Sequence, residues 1–272
     1  MSDPENELPP VLKPAPPPAT APASPLIVRL LNVFAVPGHV FDEVRVSRHS
    51  AGNWILPTLL CCVALAVSGY VALSVPSVWK VVAERQAEFR RQQAAALEES
   101  VAAGKITPAE AEETLETLDK VTQPVVLKAF AAAGGFFWGG ARVFWWALVL
   151  WFLARKFLRR PIAYAKTLEV AGLGSMIALL STVVMLVFTV NVGESFGASG
   201  FSLSVTDIGS EGQQMLASIV LNVVNFWIIG ILGIGLARLT EVPWFRATFL
   251  VLAYWLLTDL LLLLLGVGSM GR

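Results

Sequence analysis

Read by hydropathy alone, the chain alternates long apolar runs with short charged breaks. The plainest alternation is the last. From Phe226 to Trp255, FWIIGILGIGLARLTEVPWFRATFLVLAYW, two apolar runs flank a turn that carries Arg238, Glu241 and Arg246, with Pro243 and Trp244 between them. Followed to its far end, each run holds the ~20 apolar residues that a helix needs to cross a ~30 Å hydrocarbon core. Three earlier runs are as long, so spans are predicted at Trp54–Leu73, Gly134–Phe157, Leu168–Val190, Gln214–Ala237 and Phe245–Val267. Helix is the form open to them, because lipid cannot satisfy the unpaired amides of a sheet edge.

The segments between and before these runs carry a shorter period. Leu26, Ile27, Leu30, Leu31 and Phe34 fall on one helical face, with Arg29 and Asn32 away from it. Pro37 breaks that helix and starts another, with Val40, Phe41 and Val44 on one side and His39, Asp42, Glu43 and Arg45 elsewhere. Both pieces are too short to span. They are expected to lie in the headgroup region with the apolar side down, or to dock on the protein's own helices. Residues 76–122 read as a helical hairpin. The stretch WKVVAERQAEFRRQQAAALEESVAAG is rich in helix formers and ends at Gly104, a residue suited to a helix C-terminus. Thr107-Pro108-Ala109-Glu110 then has the form of a capping box that opens a second helix, with its acids on a solvated face. The first twenty-five residues, MSDPENELPPVLKPAPPPATAPASP, lack the apolar core of a signal peptide and are expected to form a disordered leader.

Composition agrees with a membrane domain: 56% of residues are apolar and 15% charged, and mean hydropathy is +0.67. Soluble domains run to about 45–50% apolar and about 25% charged. The net charge is zero, which gives no general attraction to nucleic acid. The two cysteines, Cys61 and Cys62, are adjacent in an apolar run and read as small packing residues. Charge placement sets the orientation. Arg155, Lys156, Arg159, Arg160 and Lys166 join the second and third spans, whereas Asn191 to Gly212 carries Glu194, Asp207 and Glu211 and no base. Arg29, Arg45, Arg48, Arg238 and Arg246 fall on the same side as the first basic group when spans are counted alternately. The positive-inside rule then places the N-terminus in the cytoplasm and the C-terminus outside, although the outer hairpin also carries Lys80, Arg85, Arg90 and Arg91.

Few residues carry chemistry. Arg142 and Asp259 are the ionisable groups deepest in the spans, each about eight residues or ~12 Å below the outer boundary. A charge near mid-bilayer costs about 2.5–3.5 kcal/mol on insertion scales, so the two are expected to pair across the bundle or to serve an ion-coupled site. Asn222 and Asn225 lie about one turn apart in the fourth span, with Gly233 on nearly the same face, where interhelical hydrogen bonds are expected. Gly230, Gly233 and Gly235 thin that span for close contact. Gly135 and Gly139 give a small-xxx-small step that suits packing within the chain or against a second copy. Glu169 is expected to form a surface pair with Lys166. No nucleophile-and-base spacing, metal pattern or phosphate-cradling loop occurs, so neither an enzyme nor a cofactor is expected.

The segment FAVPGHVFDEVRVSRHSAGNWILPTLL resembles the opening of bacterial Yip-domain membrane proteins, in which Pro37 and Phe41 precede the first span and Trp54 and Pro57 begin it. PIAYAKTLEVAGLGSMIALL is similar to that family's approach to the third span, and the closing hairpin to its last two. The resemblance implies five spans with a cytoplasmic N-terminus, and a role in membrane organisation and trafficking; eukaryotic members associate with Rab-type GTPases.

The expectation is therefore an all-α, polytopic bundle of five transmembrane helices in the inner membrane. Its parts are a cytoplasmic tail (1–25), interfacial amphipathic helices (26–53) and a membrane domain (54–272) carrying the extracytoplasmic hairpin insertion. It would be a non-catalytic adaptor for lipid and for protein partners, a second copy or another membrane protein. The alternative is a small-solute or ion transporter or channel subunit working through Arg142, Asp259, Asn222 and Asn225.

Overall fold

The computed structural model describes residues 24–192 and 211–264, apart from the side chains of 192, 211–222, 259 and 262–264. Two short helices, α1 (Leu26–Ala35) and α2 (Pro37–Val46), lead into α3 (Gly52–Ala72). A hairpin of α4 (Pro76–Ala102) and α5 (Pro108–Val121) follows, then α6 (Pro124–Lys156), α7 (Tyr164–Val192), α8 (Glu211–Thr240) and α9 (Trp244–Leu264). No strand occurs among the described residues. Pro37, Pro76, Pro108 and Pro124 each open a helix, where the missing N–H costs nothing and the fixed φ already suits the first turn.

Four described stretches have the length and hydropathy to cross a membrane: α3, α6, Tyr164–Asn191 of α7 and Val223–Thr240 of α8. Only 22% of the apolar window of α3 is buried against 56% of that of α8, so α8 is the central rod and α3 an outer one. Helix α9 is apolar across Trp244–Thr258. The 33 residues of α6 extend it to ~50 Å, well past one hydrocarbon core. Its second turn still packs on the end of α3, with Lys128 over the Tyr70 ring, and the α4–α5 hairpin joins at its start. The span predicted from Gly134 begins ten residues earlier because Pro124 starts an uninterrupted helix through Phe130 and the alanines that follow.

Glycine sets the tightest contacts. A methyl group at Gly135 would stand 2.6 Å from the Leu65 carbonyl oxygen, and one at Gly139 2.9 Å from Cys62 Cα. The small-xxx-small step thus lies inside the chain, between α6 and α3. Cys61 and Cys62 are buried free thiols at that seam. On α8, Gly233 admits Thr248 of α9, whereas Gly235, on another face, admits Val170 of α7 and the Phe41 ring. Gly230 differs from expectation: among the described residues nothing lies within 4 Å of where its Cβ would be, so none of them takes the space it leaves on α8.

At one end of the bundle α1 and α2 dock on α7 and α8. Leu30, Val33, Val40, Phe41 and Val44 are 3% exposed or less and belong to the main core. The apolar face predicted for α1 is rotated: Ile27 and Leu31 are 62% and 63% exposed, whereas Arg29, expected to point away, is buried at 7%. Polar partners inside the cap draw Arg29 in, as described below.

Candidate functional site

The ends of α2, α6 and α8 and the starts of α3, α7 and α9 meet at the capped end, and two polar features are built there. The first is a buried hub around Glu169, whose side chain is fully enclosed. Glu169 lies in the second turn of α7, where residues 167–174 are all buried, so the helix is enclosed on every side and the carboxylate with it. Its Oε1 is 2.9 Å from His49 Nδ1 and 3.1 Å from Lys166 Nζ. Its Oε2 accepts from Asn53 Nδ2 at 2.5 Å. Asn53 Oδ1 in turn accepts from Arg29 Nη1 at 3.1 Å. Arg29 Nε lies 3.3 Å from Glu43 Oε2, close enough for an ion pair but out of hydrogen-bond alignment. Lys166 also donates to the carbonyls of Val44 (2.6 Å) and Ser47 (2.8 Å), satisfying acceptors that the end of α2 leaves open.

Pro57 contributes indirectly. Lacking an N–H, it leaves the carbonyl of Asn53 one turn earlier without its helical donor, in the turn where the Asn53 side chain joins the hub. Asn53 thus ties Glu169 to the first turn of α3 and His49 ties it to the link between α2 and α3, while Lys166, on α7 itself, carries the tie on to the end of α2. The network can hold elements in register. Among the described residues no group of three His, Cys, Asp or Glu side chains is placed to bind a metal ion.

The second feature is an open groove of about 800 Å³ between α2 and the α8–α9 turn. Arg238 on α8 pairs with Asp42 on α2 at 3.2 Å and lies across Gly38, where a methyl group would meet its Nη2 at 3.0 Å. Arg45 pairs with Glu241. These side chains are 36–64% exposed, so each pair contributes only ~0–1 kcal/mol. Glu241 has φ +55°, and Val242 N–H donates to Ala237 C=O at 3.2 Å, which makes Glu241 the left-handed residue of a Schellman cap. The hairpin uses the same cap at the end of α4, with Gly104 at φ +69° and Lys105 N–H donating to Ser100 C=O. A side chain in that conformation costs roughly 1–2 kcal/mol relative to glycine. Trp244 at the groove's edge is 66% exposed, and Phe245 and Phe249 beyond it are exposed as well.

Of the residues singled out by sequence, Arg142 lines a small cavity of about 20 Å³ in the bundle, with Cys61, Trp146, Ser175, Thr182 and Ile228. That space suits a single water molecule. The side chains of Asp259 and Asn222 lie outside the described residues. Asn225 is half-buried on α8 beside Phe226 and Trp227. The predicted Glu169–Lys166 pair is present but enclosed rather than on the surface. Arg29, Asn53 and His49 were missed as a constellation because they converge from separate elements. The signal available in sequence was one acid set inside an apolar helical window three residues after a lysine.

The match to known families is to the Yip1 domain, across residues 31–267. The chain belongs to the Yip1 domain family. Comparison with curated proteins and with solved structures gives no significant match. In this Yip1 domain, the four positions that carried the resemblance take visible roles. Pro37 starts α2. Phe41, fully buried, wedges α2 into the seam between Val170 and Gly235. Trp54 packs edge-on against Phe144, with ring centroids 5.6 Å apart, and its backbone meets Gly172 of α7. Pro57 shapes the turn that presents Asn53. In this chain the segment that carried the resemblance is thus the cap and its anchorage.

Proposed function

We propose that this Yip1 domain is a non-catalytic organiser of the bacterial inner membrane that holds lipid and protein partners at its capped end. The observation that carries the reading is the hub. A buried carboxylate with three partners fixes α1 and α2 against the bundle and so presents a permanent ion-paired groove with exposed aromatic residues at the mouth of the spans. Five crossings fit this reading: α9 is a helix of 21 residues, ~31 Å long. The basic groups Arg155, Lys156, Arg159, Arg160 and Arg246 cluster with the cap, which supports a cytoplasmic cap and N-terminus and, with five crossings, an extracytoplasmic C-terminus. The α4–α5 hairpin then stands outside. The partners are the bilayer and a membrane protein or second copy; nucleic acid is not among them.

A photo-crosslinking residue in place of Trp244, introduced in living cells, is the test. Crosslinks to lipid and to a discrete membrane protein are expected, and absence of both overturns the reading. The Arg142 cavity favours a second reading, a solute or ion pathway. It predicts flux through proteoliposomes that falls in Asp259→Asn, whereas the organiser reading predicts none.

A further inference from the structure

The groove between α2 and the α8–α9 turn has a charge arrangement that specifies its occupant. We propose that it binds the headgroup of a zwitterionic, amine-bearing phospholipid of the phosphatidylethanolamine type, which deepens the proposed function and rests on its lipid-holding part. The groove lies where two apolar helices emerge, with exposed Trp244 and Phe245 at its edge, the level at which aromatic side chains meet headgroups. Its volume of about 800 Å³ is ample for a headgroup and glycerol.

Arg45 and Arg238 face Glu241 and Asp42, two cations against two anions. The lining itself carries no net charge, so its contacts give an anionic headgroup no advantage over a zwitterionic one. A zwitterion finds a partner for each end: a guanidinium fork for the phosphate, a carboxylate and the Trp244 face for the ammonium. Because both ion pairs are half-exposed, a ligand that brings its own separated charges exchanges with them at little cost. The backbone adds a separate observation. Glu241, like Arg159 beyond α6, occupies the left-handed position that Gly104 takes in the hairpin, and its carboxylate is held there against Arg45 although glycine is the less strained choice.

The full chain, purified in detergent, is to be equilibrated with equal amounts of phosphatidylethanolamine and phosphatidylglycerol of identical acyl chains, and the lipid retained counted by native mass spectrometry. The expected result is retention of the ethanolamine lipid by about fivefold over the glycerol lipid, the ratio one exposed ion pair supplies. Asp42→Asn with Glu241→Gln leaves two uncompensated arginines and is expected to reverse the preference. Glu241→Gly is expected to keep or raise the thermal midpoint while bringing the ratio close to one. No preference in the wild type, a preference for the glycerol lipid, or a preference unchanged in both variants overturns the proposal. Lipid retained without discrimination sinks this inference alone, whereas no lipid retained at all sinks the lipid-holding function with it.

Discussion

Glu169→Leu removes the centre of the hub while keeping most of its volume, so the change isolates the polar contacts. Three groups lose a partner: His49 Nδ1 at 2.9 Å, Lys166 Nζ at 3.1 Å and the Asn53 amide at 2.5 Å. Lys166 remains tied to Val44 and Ser47 carbonyls and its side chain is 18% exposed, so its charge is not stranded. The Asn53 side chain is fully buried and has no such relief. Breaking a buried pair from one side costs about 3–5 kcal/mol, and the residual support of Lys166 places the expected loss near the lower figure, about 3 kcal/mol. Glu169→Gln keeps an acceptor for Asn53 and is expected to cost about 1.5–3 kcal/mol. Equilibrium unfolding in mixed micelles, followed by circular dichroism, gives both values. A cycle with Lys166→Met should return an interaction of at least about 1 kcal/mol. A loss in Glu169→Leu below about 0.5 kcal/mol, the scale of an ordinary surface change, refutes the hub as the element that locks the cap.

Gly139→Val drives a branched side chain into Cys62, whose Cα already lies 2.9 Å from the nearest Cβ position; a loss of about 1–3 kcal/mol in the same unfolding assay is expected. In the α4–α5 hairpin, hydrogen bonds from Thr107 to Glu110 and from Arg90 to Asp119 hold both carboxyls below the usual range. Their contribution is complete above the unfolded values of roughly 4 and is lost as pH falls through the lower folded ones. Amide protection across Pro108–Val121, taken relative to the intrinsic exchange rate at each pH, should therefore fall below about pH 4. Trp146 and Tyr254 touch edge-on, at 6.0 Å between centroids, which sets the register of α6 against α9. Arg142 lies four residues before Trp146 and Asp259 five after Tyr254, ~6 and ~7.5 Å along antiparallel helices. Arg142→Ala and Asp259→Ala are thus expected to be non-additive in stability, and simple additivity refutes their pairing.

What the sequence displayed and what it concealed divide along one physical line. Hydropathy shows wherever a property repeats locally, so the apolar runs, the hairpin and the capping box at Thr107 were legible. Gly104 was legible too, because a helix end needs a left-handed residue within a few positions. The hub was not. Arg29, Glu43, His49, Asn53 and Glu169 each look like an ordinary polar residue beside an apolar run, and only the packing of α1, α2 and the start of α3 against α7 makes them neighbours. The rotation of α1 has the same cause: Ile27 and Leu31 are as apolar as Leu30, so periodicity could not reveal that Arg29 would be drawn inward by Asn53. Gly135 and Gly139 stayed ambiguous until α3 was seen to supply the facing backbone.

The hub and the groove are connected through α2, and that connection makes a further prediction. Gly38, Asp42 and Arg45 follow one another at four and three residues, a single stripe on α2, and that stripe faces Arg238 in the last turn of α8 and Glu241 just past its end. A helix of ten residues rotates about its axis unless something pins it. Phe41 pins the middle by filling the seam at Gly235, and Lys166 pins the end by holding the carbonyls of Val44 and Ser47, with Glu169 steadying Lys166 in turn. Glu169→Gln touches no residue of the groove. If the hub sets the rotation of α2, this variant should nevertheless expose Arg45 and loosen its contact with Glu241, read as faster trypsin cleavage after Arg45 while cleavage in the distant hairpin after Lys105 is unchanged. Uniform acceleration at both sites would mean that the variant merely loosens the whole fold, and unchanged cleavage after Arg45 would show that the cap holds its register without the hub.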